Sequence, residues 1–81
     1  MKFMIKDMIA MQQTILKIVS DVLGLSVTEA TSMEDAPGWD SLKTLQIVMA
    51  LDEAGVSIPL ERIAEVRSVR DLIRFSEQGH A

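Results

Sequence analysis

Asp40, Ser41 and Lys43 lie within four residues of one another, just after Gly38 and the single tryptophan of the chain, Trp39. A serine hydroxyl becomes a nucleophile when a base lies within hydrogen-bond reach. The one histidine is His80, expected to fray with Gly79 and Ala81 at the C-terminus. Lys43 is two residues on, which on a helix points it away from Ser41. There is no Gly-x-Ser-x-Gly elbow, no glycine-rich phosphate loop and no metal-ligand spacing. The absence of cysteine removes thiolate chemistry and disulfides together. No catalytic residue is therefore assigned. Two readings of Asp40-Ser41 remain. In the first, both are helix-start residues whose side chains cap free N–H groups. In the second, the serine is a substrate. A surface hydroxyl at the positive end of a helix is suited to bear a phosphodiester, which free N–H groups and the helix dipole would stabilise.

Positioning such a serine requires a helix behind it, and the apolar spacing supplies several. Met4, Met8, Met11, Ile15, Ile18 and Val22 recur by threes and fours, with Ile5, Ile9, Leu16, Val19 and Leu23 in the adjoining row. This predicts a first amphipathic helix from about Met4 to Leu23 with a broad buried face, stopped by Gly24. The methionine stripe has a second reading as an adaptable binding surface. Residues 25–40 show no sustained period. Ser26-Val27-Thr28-Glu29 and Thr31-Ser32-Met33-Glu34 have the form of capping boxes, and one helical turn is expected near Ser26 to Ala30. Asp35-Ala36-Pro37-Gly38 is a turn signal. A connection this long tends to be functional.

A second helix is predicted from Asp40 or Ser41 to about Ala54, stopped by Gly55. Val56-Ser57-Ile58-Pro59 reads as an extended link, with Pro59 at the first position of a short third helix to about Val66. Ser68-Val69-Arg70-Asp71 is another capping signal. It opens a fourth helix to about Glu77, with Val69, Leu72, Ile73 and Phe75 as its apolar residues. Strand signals are absent. The fold class is all-α, a small four-helix bundle with a long first loop and a short third helix.

The chain's 81 residues, 48% of them hydrophobic, suit one domain, 1–81, able to form a compact core. No stretch approaches the roughly 18 apolar residues of a membrane span, and Lys2, Lys6 and Asp7 interrupt the N-terminal run, so a cytoplasmic domain without membrane association is expected. The net charge of -4 is concentrated between residues 25 and 60, where Lys43 stands against six acids. Such a patch repels nucleic acid and attracts basic protein surfaces; ordinary solubility is the alternative.

The second helix carries two apolar rows at about 100° per residue. Thr44, Ile47, Val48, Leu51 and Ala54 form one. Leu42, Leu45 and Met49 form the other, flanked by Ser41, Gln46, Asp52 and Glu53. The row beside the acids is predicted to be exposed, because burying Asp52 and Glu53 unpaired would be costly. An exposed apolar row with an acidic rim is the pattern of a docking surface.

Trp39-Asp40-Ser41-Leu42, then Leu45 to Glu53, then Ile58-Pro59, resemble the acyl carrier and peptidyl carrier proteins, and the order of elements matches over essentially the whole chain. The resemblance implies that Ser41 receives 4'-phosphopantetheine from coenzyme A through a phosphopantetheinyl transferase. It implies that Asp40 helps hold the transferase's magnesium. Leu42, Leu45, Gln46, Met49, Asp52 and Glu53 would meet partner enzymes. Ile63 and Val66 would meet a partner or line a cavity for the bound chain, with core packing as the alternative. The implied partners are the transferase, a loading ligase or transferase for acyl or aminoacyl groups, and downstream synthases or tailoring enzymes. A monomer is expected. The chain departs from the usual fatty acid carriers at Lys43 and Gln46, where acids are common, at Trp39, and in Arg62, Arg67, Arg70 and Arg74. These departures point to a dedicated partner set in polyketide or nonribosomal peptide metabolism; a general fatty acid carrier and an unmodified adaptor are the alternatives.

Overall fold

The computed structural model describes residues 5–78. Four helical segments follow in order: α1 (Ile5–Leu23), α2 (Ser41–Glu53), a 3₁₀ helix (Leu60–Glu65) and α3 (Val69–Gln78). No strand forms among the described residues, and the architecture is an all-helical bundle. The expectations for Met4 and for the tail from Gly79 to Ala81 lie outside the described residues, as do those for the Ile5 and Met8 side chains.

α1 packs on α2 and α3, and α2 also meets the 3₁₀ helix. The core between them contains Ile15 and Val19 of α1, Ile47, Val48 and Leu51 of α2, Val56 and Ile58 of the link, and Val69, Leu72, Ile73 and Phe75 of α3. Each large apolar side chain so enclosed contributes about 1.5–3 kcal/mol through the water it leaves. Met11, Leu16, Ile18, Val22 and Leu23 pack against this core while partly exposed. The methionine on α1 that the structure describes is thus core lining.

Helix ends follow local chemistry. Gly24 closes α1, its N–H bonded to the Ser20 carbonyl at 2.8 Å. Asp40 caps α2: its backbone is extended and its Oδ1 accepts the Lys43 N–H at 2.9 Å. At α3, Ser68 Oγ accepts the Asp71 N–H, and Asp71 Oδ2 accepts the Arg67 N–H in return. That reciprocal pair confirms the capping signal.

Four expectations are corrected. Ile9 was expected inside but is 49% exposed. With a rise of about 1.5 Å per residue, α1 outruns both neighbours, which have 13 and 10 residues against its 19, so Ile9 lies beyond full cover. Ala54 is exposed rather than inward, because it is the C-cap of α2, where the backbone turns out of helical geometry (φ -90°, ψ 4°). Pro59 is the residue before the third helix, not its first: its ψ of 134° is extended, and the helix itself is 3₁₀, ending at Glu65 with Val66 as its C-cap.

The fourth correction concerns the long loop. No helical turn forms at Ser26 to Ala30 and neither supposed capping box opens a helix. Thr28 and Thr31 close a tight turn instead. The Thr31 N–H donates to the Thr28 carbonyl, Thr31 Oγ1 accepts the Thr28 N–H at 2.9 Å, and Thr28 Oγ1 accepts the Ala30 N–H. Further on, Ser32 and Ser68 form an antiparallel bridge, with the Met33 N–H on the Arg67 carbonyl and the Val69 N–H on the Thr31 carbonyl. The loop is thereby tied to the segment that enters α3.

Candidate functional site

The start of α2 is fixed from the inside. Trp39 is 5% exposed, and its indole N–H donates to Thr44 Oγ1 at 2.8 Å. Thr44, buried one turn into α2, donates in turn to the Asp40 carbonyl at 3.1 Å. This chain of two bonds locks the last loop residues onto the first turn and leaves no buried side-chain polar atom without a partner among the described residues. Gly38 precedes it with a φ of +85°, a conformation a side chain would resist, and so turns the chain into Trp39.

Ser41, the first residue of α2, is exposed beside this anchor. The N–H groups of Ser41 and Leu42 have no acceptor among the described residues, so the positive end of the helix is open toward solvent. Among the described residues no side chain is hydrogen-bonded to the hydroxyl, and these residues contain no group of three potential metal ligands.

The two rows of α2 separate as the spacing predicts. Thr44, Ile47, Val48 and Leu51 are buried. Leu42, Leu45 and Met49 are exposed by 62%, 45% and 58%, and Gln46, Asp52 and Glu53 are exposed around them. These residues therefore form one continuous face with Ser41 at its end. Ile63 is half-buried on the facing 3₁₀ helix, while Val66 is 3% exposed and belongs to the core.

Between α2 and the 3₁₀ helix run two adjoining clefts that share Leu45, Leu60 and Ile63. The first, of about 550 Å³, opens beside Ser41 and reaches Met33, Val66 and Arg67. The second, of about 430 Å³, runs along Val48 and Met49 to Asp52 and Glu53. Sequence reasoning missed Leu60, which is 82% exposed and common to both clefts. Its signal was an apolar residue directly after Pro59 and ahead of Glu61-Arg62. Met33 and Arg67 were missed as well, because only the Ser32–Ser68 bridge brings the loop to that position.

A small helical bundle with an exposed serine opening its second helix, and a cleft beside that serine, has the arrangement that the carrier resemblance implies. Residues 13–76 match the family described as a phosphopantetheine attachment site. The chain is 35% identical over 79 residues to an acyl carrier protein of Syntrophobacter fumaroxidans, covering 93% of this chain and 98% of that one. It is 41% identical over 69 residues to an acyl carrier protein of Sinorhizobium fredii, covering 80% of this chain and 88% of the relative. The acyl carrier protein AcpP of Rhizobium meliloti matches to the same extent. The chain belongs to the acyl carrier protein family. Membership implies covalently attached 4'-phosphopantetheine, and a role in carriage, not catalysis, among the transferase and acyl-handling enzymes with which carriers work. No helix among the described residues is long and apolar enough to cross a membrane.

Proposed function

We propose that residues 1–81 form a single monomeric carrier domain in which Ser41 bears the 4'-phosphopantetheine arm. The observation that carries the assignment is the exposure of Ser41 at the rigidly anchored start of α2, within the matched residues. The surroundings suit such an arm: an open hydroxyl, free N–H groups behind it, and an apolar cleft alongside with one cationic residue. The arm supplies a terminal thiol that holds a cargo as a thioester. Ser41 fixes the point of attachment, and Trp39 and Thr44 hold that point still. Asp40, exposed, keeps its cap on Lys43 through Oδ1, and its Oδ2 has no hydrogen-bond partner among the described residues, which suits a contact with the transferase's magnesium. Leu42, Leu45 and Met49, rimmed by Gln46, Asp52 and Glu53, form the surface on which the transferase, a loading enzyme and downstream synthases dock in turn. Ile63 belongs to the facing wall of the cleft. Val66 closes that wall from the core side, so packing is its main work.

The pathway we favour is specialised, polyketide or nonribosomal peptide, in the cytoplasm. Lys43 and Gln46 lower the negative charge of the docking face, four arginines between residues 62 and 74 give the surface a charge pattern of its own, and the buried Trp39 packs the loop against the start of α2. The extent of similarity to proteins named acyl carriers favours an acyl cargo over an aminoacyl one, and it also supports a second reading, a general fatty acid carrier. Growth of a strain that lacks its own general carrier separates the two: rescue by this chain establishes the second reading, and failure to rescue supports the first. The attachment itself is tested by intact mass after incubation with coenzyme A, magnesium and a broad-specificity transferase. A gain of one arm is expected, and none in Ser41→Ala. No gain in the unaltered protein would mean an unmodified adaptor; a gain that persists in Ser41→Ala would move the site elsewhere.

A further inference from the structure

The cleft beside Ser41 contains a charge that neither the fold nor the docking face uses. Of the residues lining it, Arg67 alone is ionisable, and its neighbours there are Met33, Leu45, Leu60 and Ile63. The adjoining cleft has the opposite character, with Asp52 and Glu53 in its wall. The groove between α2 and the 3₁₀ helix thus runs from cationic at the serine to anionic at the far end.

Arg67 is also held in place without spending its guanidinium. Its carbonyl accepts the Met33 N–H at 2.8 Å and its N–H donates to Asp71 Oδ2 at 2.9 Å. The backbone is therefore pinned on one side to the loop and on the other to the cap of α3. The carboxylate of Asp71 is engaged by that backbone N–H and lies 3.9 Å from Arg74. The ion pairs found among the described residues are Lys17–Asp21, Arg62–Glu65 and Arg74–Asp71, and none includes Arg67. A guanidinium fork of this kind matches phosphate oxygens in shape and charge.

We propose that Arg67 is the counter-ion of the phosphodiester that joins the arm to Ser41, and that this pairing seats the stem of the arm in the cleft between α2 and the 3₁₀ helix. The inference rests on Ser41 as the attachment point. It makes Arg67 a positioning residue, since it touches the stem of the arm and not the thioester. An exposed pair of this kind is modest in strength and weakens with salt, which gives the test its signature.

The test uses the holo form of the full chain, prepared as the unaltered protein and as Arg67→Gln, Arg67→Lys and Arg70→Gln, each confirmed by intact mass and by an unchanged helical circular dichroism spectrum. The readout is the phosphorus NMR resonance of the phosphodiester in low salt and in about 1 M salt, where the Debye length falls to about 3 Å. In low salt the Arg67→Gln resonance is expected to shift and sharpen relative to the unaltered protein, Arg67→Lys to lie between them, and Arg70→Gln to leave it in place. High salt should bring the unaltered protein to the Arg67→Gln position. An Arg67→Gln spectrum identical to the unaltered one overturns the pairing and leaves the Ser41 assignment standing. An equal shift in Arg70→Gln also overturns it, because the effect would then be one of net charge. No mass gain in the unaltered protein, or a gain that persists in Ser41→Ala, overturns both readings together.

Discussion

The two sides of α2 are built from similar residues and meet opposite fates. Ile47 and Leu51 are wholly enclosed, whereas Leu42 and Met49, on the same helix, are more than half exposed. Hydrophobicity alone does not separate them. The difference lies in what stands beside each row. α1 closes over one side, and the other is bordered by Asp52 and Glu53, whose burial would require partners that a bundle of this size does not offer. An apolar row on a helix therefore marks a contact, and its charged neighbours show whether that contact is internal or with another protein.

The comparison breaks most visibly at Leu51. Truncation to alanine removes a fully enclosed side chain and leaves a cavity, at an expected loss of about 2–5 kcal/mol in urea denaturation. That is a large share of the stability of a small domain. A loss below about 1 kcal/mol would mean that the enclosed face contributes no more than an exposed one, and the contrast between the two rows would fail.

Next in size is the anchor between the faces. Trp39→Phe keeps most of the buried ring but removes the N–H that Thr44 Oγ1 accepts. The expected cost is about 1–3 kcal/mol, because a buried oxygen loses its donor. The same variant should loosen the residues before Ser41, read as faster amide exchange at Asp40 and Ser41 with little change at Leu51.

Asp40 separates structure from recognition at the junction itself. Asp40→Ala removes the oxygen that accepts the Lys43 N–H and should cost about 1 kcal/mol. Asp40→Asn keeps an equivalent cap oxygen and should change stability by only a few tenths of a kcal/mol. If the carboxylate also serves the transferase's magnesium, Asp40→Asn should modify slowly while melting normally. Equal modification rates in Asp40→Asn and the unaltered protein would confine Asp40 to capping.

The parts of this arrangement that sequence made legible are those governed by neighbours in the chain. Asp40 before α2, Gly55 after it and the Ser68–Asp71 pair before α3 act through bonds to residues within a few positions, so the helix limits could be read to within a residue or two. The two rows of α2 were legible for the same reason. The loop was not, although it uses the same residue types. Thr28 and Thr31 can cap a helix or close a turn, and the turn wins because each hydroxyl finds its N–H within three residues. The exposure of Ile9 depends on how far α2 and α3 reach along α1, which no local pattern records. The cleft beside Ser41 depends on the Ser32–Ser68 bridge, which joins segments 36 residues apart. Ser76 shows the limit from the other direction: a polar residue in an apolar row, it is fully buried because its hydroxyl donates to the Ile73 carbonyl at 2.6 Å.

The smallest effect on stability should come from the outer row, and there it is most informative. Leu42→Ala and Met49→Ala each remove exposed side chains, so both variants should unfold within about 0.5 kcal/mol of the unaltered protein. Neither touches the Asp40 cap or the Trp39–Thr44 bond, so Ser41 should stay where it is. What they remove is apolar area that only a partner would enclose. On the docking role proposed for this face, each truncation should weaken the encounter with the transferase by about 1 kcal/mol, seen as a roughly fivefold rise in KM with kcat little changed. That split matters, because a displaced serine would lower kcat instead. Unaltered KM values in both variants would place the docking surface elsewhere, and the exposed row of α2 would then be an apolar patch without a partner to explain it.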